Sequence, residues 1–156
     1  MQSLIEARTA TGRVVAISVS ERKGVPKSNI DSAVLRPEWG IEGDAHAGKW
    51  HRQISLLAVE SIEKMRAKGL DVGPGAFAEN ITTEFIDIPH LSVGDRVRIG
   101  AAELEITQIG KKCHARCAIF QAAGDCVMPR EGIFARVLVG GPIRVGDSVH
   151  VTRTTG

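Results

Sequence analysis

The chain has 156 residues, of which 43% are hydrophobic and 24% are charged, a composition typical of one soluble globular domain. With 20 basic and 18 acidic side chains its net charge is only +2, so a general nucleic-acid-binding role has no compositional support. The sequence contains no signal-peptide pattern and no apolar run of about 18 residues, which argues against a membrane protein. We therefore expect a cytoplasmic protein.

The first predicted element is a strand over residues 12–20, which are rich in β-branched side chains. Residues 21–50 follow with little sustained periodicity and with several glycines, two prolines and many charges. Loops longer than about 15 residues are uncommon in compact domains and are often functional. The sequence therefore predicts a long loop that faces a ligand.

The middle of the chain contains the clearest helix signal. Residues 53–58 (QISLLA) predict a buried strand, and residues 59–68 predict a helix because apolar side chains recur at helical spacing before Gly69. A turn is expected at residues 73–76 (GPGA), followed by an extended stretch over residues 79–88.

A Val-Gly-Asp turn occurs twice, and each copy precedes alternating apolar and polar residues. The two copies lie in residues 91–99 (LSVGDRVRI) and 143–151 (IRVGDSVHV), and both predict a turn that leads into a half-buried strand. Further strands are predicted over residues 104–109 and 132–139, and a second short helix over residues 115–123. Many short strands and one or two short helices favour a mainly β fold, either a barrel or a sandwich.

The three cysteines, Cys113, Cys117 and Cys126, lie within fourteen residues. An odd number of thiols does not build a disulfide scaffold, and thiols persist in a reducing cytosol. If the segment is helical, Cys113 and Cys117 share one face with His114 close by. The basic side chains around Cys113 favour its thiolate, so Cys113 is the candidate reactive cysteine, although burial as small apolar residues is an equal alternative for each thiol.

Zinc is an alternative explanation for the cysteine cluster. The C-x3-C-x8-C spacing lacks the paired C-x2-C of structural zinc sites, but a histidine could complete the ligand set. On this hypothesis Cys113, Cys117 and His46 are the candidate metal ligands.

The segment GIEGDAHAGKWHR at residues 40–52 is the second candidate for chemistry. His46 and His51 could act as acid and base, while Lys49 and Arg52 could contact an anion. The segment does not have the order of a phosphate-binding P-loop, and its two histidines do not have the spacing of a zinc protease. Asn80 could be a turn cap or a ligand contact.

Three motifs, taken together, resemble the MOSC domain, the module named for the C-terminal region of molybdenum cofactor sulfurase. They are GIEGDAHAGKWHRQISLL, GAFAENITTEFIDIPHLSVGDRVRIGAAELEITQIGKKC and GIFARVLVGGPIRVGDSV. The resemblance extends over residues 12–151, so we expect a single domain over residues 1–156 with this core. It implies a β-barrel of the type found in the barrel domain of pyruvate kinase.

The resemblance also implies a site. The cysteine that carries sulfur or meets molybdenum in larger family members falls on Cys113, and we expect His46 to be its catalytic partner. The resemblance places the GDAHAG residues 43–48 with His51 and Arg52 along the pocket. We expect the cofactor contacts to be Lys27, Asp44, Lys49, His51, Arg52 and Asn80. The basic residues among them are expected on the phosphate of the pyranopterin.

The chain departs from the larger members, because Lys112 replaces the proline that often precedes the cysteine and no desulfurase domain that binds pyridoxal phosphate is present. The primary hypothesis is a protein of molybdenum cofactor metabolism that binds this cofactor, carries sulfur on Cys113, or both. The expected partners are cofactor biosynthesis proteins or molybdoenzymes, not nucleic acid or membranes. The alternatives are a metal-dependent enzyme, with C–S lyase-like chemistry on a small sulfur-containing or N-hydroxylated substrate, and a docking domain with structural cysteines.

Overall fold

A computed structural model of the chain describes residues 9–23, 25–86, 88–110 and 132–153. Within these ranges the chain forms eleven β-strands, one α-helix and one 3-10 turn, which confirms the predicted mainly β fold. No helix in the described ranges has the length and apolarity needed to cross a membrane.

The described elements follow one another along the chain in this order. The strands are β1 (Thr9–Val19), β2 (Ser28–Ile30), β3 (Ser32–Arg36), β4 (Gly40–Ile41), β5 (Ile54–Ala58), β6 (Ile81–Glu84), β7 (Arg96–Ile99), β8 (Ala102–Ile109), β9 (Ile133–Val139), β10 (Gly141–Arg144) and β11 (Ser148–Thr152). Helix α1 (Val59–Arg66) follows β5, and the 3-10 turn (Ile88–His90) follows β6.

Seven strands close into a barrel in the order β11-β7-β8-β9-β5-β6-β1, because β1 also pairs with β11. Strand β2 pairs with β1 at the side of this barrel, and β10, β3 and β4 form a small second sheet. All neighbouring strands are antiparallel except β5 and β6, which are parallel and joined through α1. A parallel pair needs such a crossover connection, so the most clearly predicted helix has a topological role. The predicted β-barrel is confirmed.

The core fills the barrel and continues beneath the helix. Strand β11 alternates exposed and buried residues, as expected when one face of a strand points into the barrel. Strand β5 is buried at all five positions, because its outward-facing Leu57 packs with Ile62 and Met65 of α1 and with Phe77 and Phe134. Burial of each large apolar side chain stabilises the fold by about 1.5–3 kcal/mol.

The predicted long loop over residues 21–50 is wrong in part, because three short strands interrupt it. Strand β3 pairs with β10, more than a hundred residues later in the chain, and with the two-residue β4. Strands of two to five residues are too short to produce a recognisable hydrophobic period. Their stability comes from pairing with distant partners, which a local pattern does not reveal.

The two Val-Gly-Asp turns have the same geometry, as their sequences predict. Gly94 and Gly146 both adopt φ of 95°, a conformation that glycine tolerates best. The Asp95 carboxylate accepts the N–H of Ser92 at 2.8 Å, and Asp147 accepts the N–H of Arg144 at the same distance. The turns lead into β7 and β11, which pair with one another in the barrel wall.

Candidate functional site

Three predicted site residues meet in one buried cluster at the end of β1. Lys27 Nζ lies 2.8 Å from Asp44 Oδ1, 2.9 Å from His46 Nδ1 and 2.9 Å from Ser20 Oγ. Neither the Lys27 nor the Asp44 side chain has any exposed area. Two of the ammonium group's three N–H donors thus have protein acceptors, Ser20 Oγ and Asp44 Oδ1, and the third faces His46 Nδ1.

Asp44 organises the chain around this ammonium group. Its Oδ1 also accepts the N–H of Ser20 at 3.1 Å, and its Oδ2 accepts the N–H of His46 at 3.0 Å. Burial by itself would raise the pKa of Asp44, but the hydrogen bond and charge of Lys27, with the two N–H groups, hold this pKa below its ordinary value. A buried, ionised Asp44 therefore fixes Lys27 and the backbone of His46.

His46 connects the buried cluster to solvent. Its side chain is 21% exposed and stacks on Trp50 with nearly parallel rings, at a centroid distance of 6.4 Å. Trp50 Nε1 donates to the carbonyl oxygen of His46 at 2.8 Å, so the indole is held by a polar bond as well as by packing.

Trp50 is also the centre of a group of cations. The Lys23 ammonium lies 4.5 Å and the Arg52 guanidinium 4.7 Å from its ring centroid. The same guanidinium lies 5.5 Å from the ring of Phe134, so two aromatic side chains orient Arg52. Arg52 Nε is buried and has no hydrogen-bond partner among the described residues. Such an orphaned donor fits an anionic ligand.

His51 connects the loop of His46, Trp50 and Arg52 to the end of strand β8. His51 Nε2 lies 2.7 Å from Gln108 Oε1, and Gln108 Nε2 donates to the carbonyl oxygen of Gly110 at 2.8 Å. Since the amide nitrogen of Gln108 is turned toward Gly110, its oxygen accepts from His51 Nε2–H. Thr107 Oγ1 donates to the carbonyl oxygen of His51, and the N–H of Gly110 donates to Gly132 at 2.7 Å.

Asn80 lies in the barrel wall and is fully buried. Its Oδ1 accepts the N–H of Ser55 at 3.0 Å, and its Nδ2 donates to the carbonyl oxygen of Ser18 at 3.1 Å. The side chain therefore joins β1, β5 and the start of β6, and its expected contact with a cofactor stays a prediction.

Glu79, next to Asn80, holds the preceding turn. It accepts the N–H groups of Gly75 at 2.9 Å and Phe77 at 3.1 Å and the Thr82 hydroxyl at 3.2 Å. Burial raises the pKa of Glu79 above its ordinary value, and these hydrogen bonds oppose the shift only in part.

The structure brings together Lys27, Asp44 and His46, and it places His51 and Arg52 beside them on the same loop. Lys49 of this loop is exposed to solvent. Cys113, Cys117, Cys126 and the predicted helix at residues 115–123 lie outside the described residues. Within the described ranges, no three His, Cys, Asp or Glu side chains are close enough to share a metal ion, so the zinc hypothesis stays a prediction.

Four residues of this region were not among the predicted site residues. Ser20 completes the shell of the Lys27 ammonium, Lys23 and Phe134 flank the aromatic and cationic group, and Gln108 bonds His51. Gln108 and Phe134 lie inside motifs that resemble the MOSC domain. This position was the one indication in the sequence that they could belong to the site. Nothing in the sequence indicates their contacts with residues more than fifty positions away.

A sequence model of the MOSC domain matches residues 43–150 of the chain. Among solved structures, YuaD from Bacillus subtilis is similar with a TM-score of 0.80 and 18% identity, over 94% of this chain and 98% of that protein. YiiM from Escherichia coli gives a TM-score of 0.64 at 19% identity, over 92% of this chain and 71% of YiiM. YiiM from Geobacillus stearothermophilus gives a TM-score of 0.67 at 18% identity, over 91% of this chain and 75% of that protein. At these identities the likeness is one of fold. The chain has no match among curated protein sequences.

Proposed function

Since this chain belongs to the MOSC domain family, we propose that it binds the molybdenum cofactor beside the loop of His46, Trp50 and Arg52 and carries sulfur on Cys113. Family membership supports a role related to this cofactor. Cofactor binding and sulfur carriage by this chain are the proposal.

One observation carries the proposal. The loop that contains His46, His51 and Arg52 lies against the neighbouring ends of β8 and β9, between which the sequence contains the cysteine segment. The N–H of Gly110 donates to the carbonyl oxygen of Gly132 at 2.7 Å, so the two ends of this segment are held together. Cys113 follows Gly110 by three residues, and that length of chain spans at most about 11 Å. Cys113 is therefore close in the chain to Gly110, which lies next to the loop of His51 and Arg52.

The residues of the loop fit an anionic, ring-containing cofactor. The orphaned Nε of Arg52 is suited to the phosphate of a pyranopterin, and Lys23 adds positive charge beside the Trp50 ring. When bound, the cofactor would supply its molybdenum centre as the acceptor for sulfur. The protein's part would be to hold the phosphate with Arg52 and to present the thiol of Cys113.

The buried Lys27 and Asp44 have a different part in this proposal. Their polar atoms are used by Ser20 and His46, so they orient His46 from below and do not contact the ligand. Expected partners are proteins that deliver or receive the cofactor or that load Cys113 with sulfur.

Cofactor retention tests the proposal directly. Purified protein is incubated anaerobically with molybdenum cofactor released from a molybdoenzyme, desalted, and analysed for molybdenum by mass spectrometry. We expect Arg52→Gln to weaken retention at least tenfold and Cys113→Ala to abolish it. Arg36→Gln, at an exposed arginine of β3, is the matched control and should retain molybdenum like the unmodified protein.

Two further readouts separate binding from sulfur transfer. Incubation with a cysteine desulfurase and cysteine should produce a persulfide that is lost in Cys113→Ala, detected by mass spectrometry of the intact protein. Molybdenum retention undiminished in both variants would contradict the proposed binding site. A persulfide that persists in Cys113→Ala would contradict the assignment of the sulfur carrier.

A further inference from the structure

The contact between Lys27 and His46 restricts which imidazole nitrogen carries a proton. Lys27 Nζ and His46 Nδ1 lie 2.9 Å apart. A lysine ammonium has only donors, whereas a neutral imidazole has one donor nitrogen and one acceptor nitrogen. Ser20 Oγ and Asp44 Oδ1 accept the other two ammonium protons. The third N–H of the Lys27 ammonium has an acceptor only if His46 Nδ1 is the unprotonated ring nitrogen with the lone pair.

The alternatives leave donors facing each other in a buried place. A proton on His46 Nδ1 would point at the Lys27 ammonium, which has no exposed area and cannot turn to water. An imidazolium would have the same clash and a second positive charge beside the first. The neutral ring with its proton on Nε2 is the form that gives the Lys27 ammonium its third acceptor.

We propose that Lys27 is a positioning residue that holds His46 as the neutral Nε2–H tautomer, so that Nε2 is a hydrogen-bond donor and not an acceptor. The inference rests on the proposed function for the identity of the site and assigns the role of one residue within it. The matching ligand group is an acceptor, such as an anionic oxygen or sulfur atom. A metal ion or a general-base step would need a nitrogen lone pair, and Nδ1 has already given its lone pair to Lys27.

The position of Asp44 determines which nitrogen of His46 should gain a proton when Lys27 is removed. His46 Nδ1 lies 3.9 Å from Asp44 Oδ2, which is the carboxylate oxygen that Lys27 does not bond. Without the ammonium group, this carboxylate is the charged neighbour of Nδ1 and attracts a proton to it. Lys27→Met should therefore move the proton to Nδ1, giving the Nδ1–H tautomer or the imidazolium.

Long-range proton–nitrogen correlation spectra of protein labelled with nitrogen-15 distinguish the two tautomers and the imidazolium. Spectra near pH 7, without cofactor, should show His46 as the Nε2–H tautomer, with the assignment made by its loss in His46→Gln. Lys27→Met should protonate Nδ1, whereas Lys49→Met, a charge-removing control on the same loop, should leave the tautomer unchanged.

A protonated Nδ1 in the unmodified protein would overturn the inference, and this outcome does not depend on the stability of any variant. An Nε2–H tautomer that persists in folded Lys27→Met would also overturn it, because Lys27 would then not be its cause. The tautomer is measured without cofactor. It can therefore differ from the expected one while the protein retains molybdenum as proposed, and the expected tautomer can be found in a protein that does not retain molybdenum. The two proposals therefore fail separately.

Discussion

Asp44 and Glu79 are both buried carboxylates that accept two backbone N–H groups, yet their pKa values move in opposite directions. Burial is the largest influence on each and raises both pKa values, but the pKa of Asp44 is lowered overall because the Lys27 ammonium bonds it. Glu79 has the Thr82 hydroxyl in place of an ammonium group, and its pKa stays raised. A formal positive charge, more than the number of hydrogen bonds, therefore decides the direction in which the pKa of each buried acid moves.

The two carboxylates are linked through Gly75 and Lys27. Gly75 donates its N–H to Glu79 Oε2 at 2.9 Å and accepts the N–H of Lys27 at 2.8 Å. The turn held by Glu79 therefore supports the segment that contains Lys27. Changes at either acid can be compared because they act on one continuous set of hydrogen bonds.

The largest expected effect is the loss of the charge that distinguishes the two acids. Lys27→Met leaves Asp44 buried without its ammonium partner, and breaking such a pair costs about 3–5 kcal/mol of unfolding free energy. Urea unfolding at pH 7 measures this loss. In Lys27→Met combined with Asp44→Asn no charge remains, so the double variant should lose less than the single one. An equal or larger loss in the double variant would contradict this explanation.

The next effect concerns the residue that links the two regions. Gly75 has φ of +93°, and a Cβ there would collide with the carbonyl oxygen of Lys27. Gly75→Ala should therefore destabilise the protein by about 2–4 kcal/mol through strain and steric overlap. Gly69→Ala is the matched control, because φ at Gly69 is +91° but nothing lies within 4 Å of an added Cβ. The control should lose only about 1–2 kcal/mol in the same urea experiment.

A smaller effect is the acid dependence of Asp44. Because its pKa is lowered in the folded state, its contribution to stability is present above the ordinary value of 3.8 and is lost as the pH falls through the folded pKa. The difference in unfolding free energy between the unmodified protein and Asp44→Asn should therefore shrink as the pH falls below that value. If the curves of unfolding free energy against pH were parallel for the unmodified protein and Asp44→Asn, the expected acid dependence of Asp44 would be wrong.

The smallest expected effect has the opposite sign and comes from Glu79. Its raised folded pKa means that its contribution is present below the ordinary value of 4.5 and is lost as the pH rises through the folded pKa. The stability of the unmodified protein relative to Glu79→Gln should therefore fall as the pH rises above 4.5. Glu63→Gln, on the exposed part of α1, provides the reference slope. A relative stability that rises with pH would contradict the comparison with Asp44.

The elements predicted correctly are those whose signals are local. Helix α1 was expected over residues 59–68 and is formed by Val59–Arg66, because apolar spacing and Gly69 act within one short segment. The Val-Gly-Asp turns and the strands after them also follow from a few adjacent residues. The short strands of the predicted loop depend on pairing with β10 and could not be recognised in the same way.

The candidate site was predicted in its residue types but not in its arrangement. Lys27 and Arg52 were both expected on a phosphate, and the sequence gives no reason to treat them differently. The fold buries Lys27 between Ser20, Asp44 and His46. It places Arg52 between two aromatic rings, and the buried Arg52 Nε has no hydrogen-bond partner in the part of the chain that the structure describes. Burial separates a positioning charge from a charge suited to a ligand, and burial is a property of the packed chain.

The sequence by itself determined the family, the mainly β character and the candidate segments for the site, because motifs and turn residues act through neighbouring positions. Only the tertiary structure decided that Lys27 reaches His46 across nineteen positions and that His51 meets Gln108 across fifty-seven. These contacts form because barrel closure brings distant loops together and excludes water from the groups between them. The same exclusion of water makes the Lys27 ammonium decisive for Asp44 and for the imidazole of His46.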